Sequence, residues 1–327
     1  MRRDDRGSVL LYVVWVMILL SLIAAGAGAQ ASLALTVSSR LSSDLSAELL
    51  LRGGAAHGAV ALIQDRTLSA DGVLDEWFDS PGLYLEHPLP GGRVSLVRSP
   101  GPTGAPRYGW DDESARLGLN TASAEVLQRL FQLAAGVKPE DAEAIAAAVI
   151  DWRDEDDKES PKGAENFYYH SLKHGYDCKN GPFEHPEELL LVRGVTPEIY
   201  RAVEPYVTSY GWGRVNLNTA SQPVLQALGL SEAGVAGLRT YRGGENSIEG
   251  DSDDRQLLSP YQLDQELAAF VPKEDLTRLI ALATDQTIAS SSTAFRTTIE
   301  AHAEDGASMR AQCVMDRTGT IHLWSER

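Results

Sequence analysis

The densest group of side chains that could do chemistry is the stretch Asp151-Trp-Arg-Asp-Glu-Asp-Asp-Lys-Glu-Ser-Pro-Lys-Gly-Ala-Glu-Asn-Phe-Tyr-Tyr169. Asp151, Asp154, Asp156, Asp157 and Glu159 fall within nine residues. Folded together, these carboxylates repel one another unless a cation joins them, and hard oxygen donors on a loop suit Ca²⁺, which takes six to eight of them. With Asp154 at position one, Asp156 takes position three and Glu165 position twelve of an EF-hand-like spacing, but Lys158 holds position five and Glu159 replaces the turn glycine, so the loop is not an EF-hand. A solvated acidic loop is the competing reading. No His lies inside the cluster, so a structural ion is expected rather than a catalytic one; His170 and His174 read as surface residues. A second acidic stretch, Glu245 to Asp254, is richer in Gly and Ser and reads as solvated. Cys178 and Cys313 lack neighbouring thiol or imidazole partners, which excludes a zinc site and leaves one disulfide open. No phosphate loop and no Ser/His/Asp context is present, so no enzyme is expected.

The elements around the acidic stretch read as helical across residues 111–286, and they contain a repeat. Leu119-Asn-Thr-Ala-Ser-Ala-Glu-Val-Leu-Gln-Arg-Leu130 and Leu217-Asn-Thr-Ala-Ser-Gln-Pro-Val-Leu-Gln-Ala-Leu228 agree at nine of twelve positions. In each copy Thr121 or Ser123, and Thr219 or Ser221, is placed to cap a helix. Gly-apolar turns follow at Gly136-Val137 and Gly229-Leu230, with a third at Gly194-Val195. Short helices joined by such turns look like helix-hairpin-helix units, which grip nucleic acid when backbone N–H groups at a Gly-apolar-Gly turn meet phosphate. The second glycine is replaced here by Lys138, Thr196 and Ser231, and Glu140, Asp141 and Glu198 crowd the same turns. Lys+Arg 29 against Asp+Glu 46 gives a net charge of −17, which disfavours phosphate-backbone binding. A membrane-anchored DNA-uptake receptor built from such hairpins is the alternative reading, and no nucleic-acid partner is expected.

The 327 residues suggest about two packed units. Mean hydropathy of −0.20 excludes a multi-span membrane protein. The apolar residues concentrate at Val9 to Ala29, long enough as a helix to cross a bilayer core of roughly 30 Å. Arg2, Arg3 and Arg6 precede the span and the next cation is Arg40, so the positive-inside bias leaves the N-terminus in the cytoplasm and the remaining chain on the far side. Three readings compete for this segment: a removable signal with Ala27-Gly28-Ala29 before Gln30, a plain anchor, or a short leader ending at Gly7 with the apolar helix beginning at Ser8. Beyond the span, Leu41, Leu45, Leu49, Ala56, Val60 and Ile63 recur at helical intervals, so one helix is expected to reach about Gln64 with an amphipathic second half on which a sheet can pack. Gly53 and Gly54 weaken it locally.

Strand patterns occur at Arg93 to Val97, Ala294 to Ala301, Met309 to Met315 and Thr320 to Trp324, the last two joined by Asp316-Arg317-Thr318-Gly319. The expected fold class is α+β: a long N-terminal helix (residues 8–65) on a small antiparallel sheet from 66–110 and 287–327, with a large helical insertion at 111–286.

The Gly7–Ser8 junction resembles the leader of type IV pilins and pseudopilins, which a prepilin peptidase cuts after the glycine and methylates. Most of those subunits carry Glu at the fifth mature position, where a buried carboxylate needs a partner amine from the subunit ahead. Here the fifth is Tyr12, as a subunit with none ahead would have. Together with the duplicated Asn-Thr-Ala segment, the "DWRDEDD…GAENFYY" loop, the "PFEHPEELLLVRGVTPEIY…YVT" segment and the closing strands, the chain resembles the type II secretion minor pseudopilin K family over nearly its whole length. It departs from that pattern at Gly118 and in two leader aspartates. The resemblance implies a pilin-like fold with an inserted helical domain, and calcium held by Asp154, Asp156, Asp157 and Glu165 with Asp151 as a fifth. It also implies assembly with pseudopilins I and J into the tip that starts a periplasmic pseudopilus, and single-pass residence in the bacterial inner membrane with a periplasmic head.

Overall fold

The structure is a computed structural model that describes residues 6–65, 69–100, 104–246, 249–250 and 253–326. Residues 1–5 of the expected leader lie outside the described residues, and Gly7 and Ser8 fall in the first turn of α1 (Arg6–Gln64). At 59 residues, α1 runs for about 90 Å. Every side chain from 9 to 42 is exposed, and this half contains the apolar window able to cross a membrane, with mean hydropathy 2.6. Tyr12 lies in it, 72% exposed.

The second half of α1 meets the sheet through Ala47, Leu50, Leu51, Ala55, Ala59 and Leu62, all buried. The stripe read from the sequence, Leu41, Leu45, Leu49, Ala56, Val60 and Ile63, faces outward. Close approach decides between the two faces. A Cβ on Gly54 would stand 2.8 Å from Ile299 Cγ2, and one on Gly58 2.4 Å from Leu96 Cδ2. The glycines lower helix propensity but let the helix axis settle onto the strands, which the larger stripe does not allow.

After α2 (Pro81–Tyr84), the sheet begins with β1 (His87–Leu89), β2 (Gly92–Arg98), β3 (Arg107–Tyr108) and β4 (Asp111–Asp112). The chain then leaves for the helical unit: β5 (Leu117–Gly118), α3 (Ala124–Ala135), α4 (Pro139–Arg153), α5 (Asn166–His170), α6 (Pro197–Val203) and β6 (Val207–Thr208). It continues through β7 (Val215–Asn216), α7 (Gln222–Ala227), α8 (Glu232–Arg242), α9 (Leu263–Leu267), α10 (Lys273–Thr284) and β8 (Ile288–Ala289). It returns to the sheet with β9 (Ala294–Ala303), β10 (Ser308–Asp316) and β11 (Ile321–Glu326). Strand order is β1-β2-β9-β10-β11, with β3 on β2 and β4 on β9, and every pair in this sheet is antiparallel. On β9 the alternation is clear: Phe295, Thr297, Ile299 and Ala301 are buried with solvent-side residues between them.

Two apolar cores result. One, under the sheet, gathers Leu51, Leu62, Trp77, Tyr84, Leu96, Trp110 and Phe295; the other fills the helical unit from Leu117 to Ile288. Cys178 belongs to the helical core and Cys313 to the sheet core, both buried and free, which closes the disulfide question. Between the cores the contact is polar: Asn216 Nδ2 donates to Asp71 O at 3.0 Å, Asp112 Oδ2 at 3.1 Å and Ser292 Oγ at 2.8 Å. Arg317 on the closing turn reaches Asp65 at 3.0 Å and also Asp71. The carboxylates of Asp65, Asp71 and Asp75 converge within 4.8 Å, and Arg317 already supplies a cation there. Burial pushes the Asp71 carboxyl up to about 7, against the opposing pull of Arg317.

Candidate functional site

The duplicated sequence is a duplicated structure. Each copy opens on a two-residue strand in a parallel pair, Leu117 with Val207 and Val215 with Ile288. Asn120 then clamps a distant loop, donating to Phe183 O at 3.0 Å and accepting from Phe183 N at 2.7 Å. Asn218 does the same with Leu257, donating to its carbonyl at 3.0 Å and accepting from its N–H at 2.8 Å. An arginine at the end of the second helix closes each unit. Arg153 donates to the Leu119 and Ala122 carbonyls, and Arg242 to the equivalent Leu217 and Ala220 carbonyls. The sequence identity therefore preserves backbone-clamping groups as well as apolar packing.

Gly136, Gly194 and Gly229 have φ of 63°, 84° and 101°, the left-handed conformation that ends one helix and starts the next. Ser123 caps α3 by accepting from Val126 N, whereas Ser221 stands at the N-cap of α7 without a side-chain bond. The residues in place of the second hairpin glycine, Lys138, Thr196 and Ser231, are the N-cap residues of α4, α6 and α8. Thr196 and Ser231 satisfy helix N–H groups themselves. Ser231 N donates to Asp275 Oδ1 at 2.8 Å. At that turn a carboxylate occupies the place a phosphate would need.

The acidic stretch follows directly from the end of α4. Asp151 sits in the last turn, fully buried, and accepts from Ser160 N at 3.3 and 3.1 Å. A Cβ on Gly163 would lie 1.9 Å from Asp151 Oδ2, so only glycine lets the loop fold back over this carboxylate. Asp154 is the C-cap residue of α4, and its Oδ1 is buried without a donor. Glu165 is 3% exposed, and neither of its carboxylate oxygens makes a well-formed hydrogen bond, although the Cys178 thiol and the Asn166 N–H lie beside them. Burial raises the Glu165 carboxyl against the pull of the neighbouring Cys178 thiol, and the charges of Asp151 and Asp154 raise it further; Asp154 is raised by burial and then by Asp151 and Asp156.

Asn180 brings one more oxygen. Its Oδ1 is buried without a donor, while its Nδ2 donates to Asp156 O at 3.2 Å and Asp157 Oδ1 at 2.9 Å. Asp157 also accepts from Asn166 Nδ2 at 2.8 Å, and Asn166 Oδ1 accepts from Cys178 N at 2.8 Å. Asp151, Asp154 and Glu165 thus lie near enough to act on one another's charge, although their oxygens do not converge as closely as those of Asp65, Asp71 and Asp75, and Asn180 is tied to the same loop through Asp156 and Asp157. Asp156 is exposed and accepts from Lys158 N at 2.8 Å. Glu159 turns to Arg193 at 3.9 Å. His170 and His174 are exposed, and His170 pairs with Asp177 at 2.6 Å. Asn180 has φ 46°, and the Asn180-Gly181 turn dipeptide is the signal that could have drawn attention to it.

Four buried oxygens, Asp154 Oδ1, both of Glu165 and Asn180 Oδ1, therefore make no well-formed hydrogen bond. Orphaned buried acceptors are costly, and oxygen-only donors of this kind fit a hard divalent cation. In the second acidic stretch, among the described residues, Asp254 is buried and Asp253 half-buried, while Glu245 and Glu249 are exposed. Asp253 Oδ2 accepts from Glu245 N and Asn246 N at 2.7 and 3.2 Å, Asp254 Oδ2 from Gly250 N at 2.6 Å, and Glu249 pairs with Arg242 at 2.7 Å. Most described residues of that stretch are exposed, as its composition suggests, with Asp253 and Asp254 accepting backbone N–H groups within it.

Comparison with known proteins gives a consistent set. Residues 111–211 match the family model "Type II secretion system (T2SS), protein K". Type II secretion system protein K of Pectobacterium carotovorum subsp. carotovorum is 29% identical over 242 residues, 71% of this chain and 73% of its own length. The protein of that name from Klebsiella pneumoniae is 34% identical over 120 residues, 36% of this chain and 35% of its own. A chain of the crystal structure of the GspK-GspI-GspJ complex from enterotoxigenic Escherichia coli aligns over 89% of this chain and 98% of its own with a TM-score of 0.64. At 17% identity, that likeness establishes the fold.

Proposed function

We propose that this chain, which belongs to the type II secretion system protein K family, is the minor pseudopilin that caps and starts the pseudopilus for protein export. The observation that carries this reading is the division of α1. Its first half is apolar and exposed throughout, with Tyr12 where a carboxylate would ask for a partner amine, and its second half holds a head enlarged by the helical unit. A subunit of this shape can be stored in the inner membrane and enter a filament first, its head blocking addition above. The outward stripe of Leu41, Leu45, Leu49, Val60 and Ile63 is exposed among the described residues and is left for neighbouring helices, those of pseudopilins I and J. That partner assignment is supported by the likeness to a chain of the GspK-GspI-GspJ complex. A DNA-receptor function is disfavoured by the capped hairpin turns.

Calcium in the acidic loop would be held by Asp151, Asp154, Glu165 and Asn180, with Asp156 at the edge and Asp157 orienting Asn180. When bound, the ion supplies the positive charge that these buried oxygens lack and ties the end of α4 to the Cys178–Gly181 segment. The test of processing is N-terminal sequencing of the protein recovered from membranes. A prepilin peptidase product begins at Ser8, methylated; a start at Gln30 or an intact Met1 would refute the pseudopilin reading.

A further inference from the structure

The basic side chains of this acidic protein are not spread evenly. A cleft of about 610 Å³ lies where β2, β3 and β4 meet α7 and α8, and five arginines line it against three carboxylates. From the sheet side come Arg98 and Arg107, and from the start of the helical unit Arg116. Arg239 and Arg242 come from the last turn of α8. Arg98 is committed to Asp111 at 3.1 Å and Arg242 to Glu249 at 2.7 Å, and Arg116 lies 3.3 Å from Glu113. Arg107, among the described residues, donates only to the carbonyls of Ser99 and Pro100. Among the described residues Arg239 has no carboxylate within ion-pair distance. The charges of Arg107 and Arg98 repel: burial first, and then Arg107, lowers Arg98, against the pull of Asp111.

A second observation points into the same space. Arg242, with a side chain 8% exposed, has a buried Nε with no acceptor. Guanidinium N–H groups buried without acceptors are costly, and a planar anion is the ligand that satisfies such forks. Phe78, Tyr206, Pro100 and Pro205 also line the cleft, with the Arg98 guanidinium stacked 3.6 Å over the Phe78 ring. A ligand with carboxylates on short aliphatic stems matches this mixture of guanidiniums and apolar rings.

We propose that this cleft is a docking site for a carboxylate-rich polypeptide segment of another protein. Guanidiniums left over after the internal pairs receive the carboxylates, and the aromatic wall receives the stems and backbone. In a chain of net charge −17, the cleft offers an acidic segment a local field of the opposite sign. The inference is independent of filament assembly, so either can fail alone.

The test uses the full chain in non-ionic detergent and a fluorescein-labelled hexaglutamate peptide followed by fluorescence anisotropy, with hexaglutamine as the neutral control. Hexaglutamate binds saturably and releases with added salt, whereas hexaglutamine does not bind. Arg107→Glu/Arg239→Glu weakens binding at least about tenfold, about 1.4 kcal/mol. Arg52→Glu/Arg201→Glu changes net charge equally at distant exposed positions and leaves binding as in the parent. If the Arg107 variant loses its cooperative melt, Arg239→Glu alone, at an exposed position, carries the test. No saturable binding, equal loss in both double variants, or displacement by inorganic phosphate at concentrations matching the peptide would each overturn the proposal, the last by making the cleft a phosphate site.

Discussion

Replacing Glu165 by Gln keeps its shape and removes its charge, and the structure gives this substitution opposite signs with and without calcium. Without the ion, Glu165 is a carboxylate 3% exposed, with no well-formed hydrogen bond on either oxygen and with Asp151 and Asp154 adding like charge. An uncompensated buried polar or charged group costs about 1–3 kcal/mol or more, so Glu165→Gln stabilises the chelated protein by about that amount. With calcium at about 100 times its dissociation constant, the parent gains about 2.7 kcal/mol. The variant, short of one anionic ligand, loses most of that gain. For a unit of this size 1 kcal/mol moves the melting temperature by about 2–4 °C. The parent therefore rises by about 5–10 °C on going from EGTA to millimolar calcium. The variant melts above the parent in EGTA and below it in calcium, read by differential scanning calorimetry of the full chain in detergent. Curves for parent and variant that never cross, or a parent indifferent to chelation, would refute the argument that the orphaned oxygens are cation ligands.

Three further outcomes follow from other parts of the fold. Asp71 has a folded-state pKa raised to about 7 from an ordinary 3.8, so the folded state holds the proton more tightly and stability falls as pH rises from about 4 to 7; Asp71→Asn flattens that part of a chemical-denaturation profile, and an unchanged slope counts against the buried-carboxyl account. Asn218→Ala strips the Leu257 N–H of its acceptor and the Leu257 and Ser290 carbonyls of a donor, a loss of about 2–4 kcal/mol measured by urea unfolding; a loss below about 0.5 kcal/mol contradicts the clamp. Gly58→Ala, which on an isolated helix would stabilise by about 1 kcal/mol, destabilises by about 1–3 kcal/mol because the added Cβ meets Leu96 and Trp110 at 2.4 and 2.7 Å; a rise in melting temperature would show that the helix does not lie so close to the sheet.

Features with a local signal were legible in the residues. The length of α1, the alternation on β9, the β10–β11 turn and the internal repeat are all written at spacings of a few residues, and each appears in the structure near its expected position. The acidic stretch was legible as a concentration of oxygen donors, but its members divide on folding. Asp151, Asp154 and Glu165 turn in, Glu159 turns to Arg193, and Asp157 becomes a support for Asn180. Composition placed the second acidic stretch in solvent, where Glu245, Asn246, Glu249 and Gly250 lie, but a count of charges did not reveal that Asp253 and Asp254 accept backbone N–H groups.

The sequence by itself determined a membrane-length apolar helix, a repeated Asn-Thr-Ala unit and a local excess of carboxylates, because periodicity, near-identity and charge density are properties of neighbouring residues. Only the tertiary structure decided which side of α1 meets the sheet. Both faces carry apolar residues, and the choice rests on how closely Gly54 and Gly58 let the strands approach. It also decided that Asn180 joins the Asp157 carboxylate 23 residues upstream, and that arginines from five separate positions converge on one cleft. Such convergence depends on how distant segments pack, and no spacing along the chain encodes it.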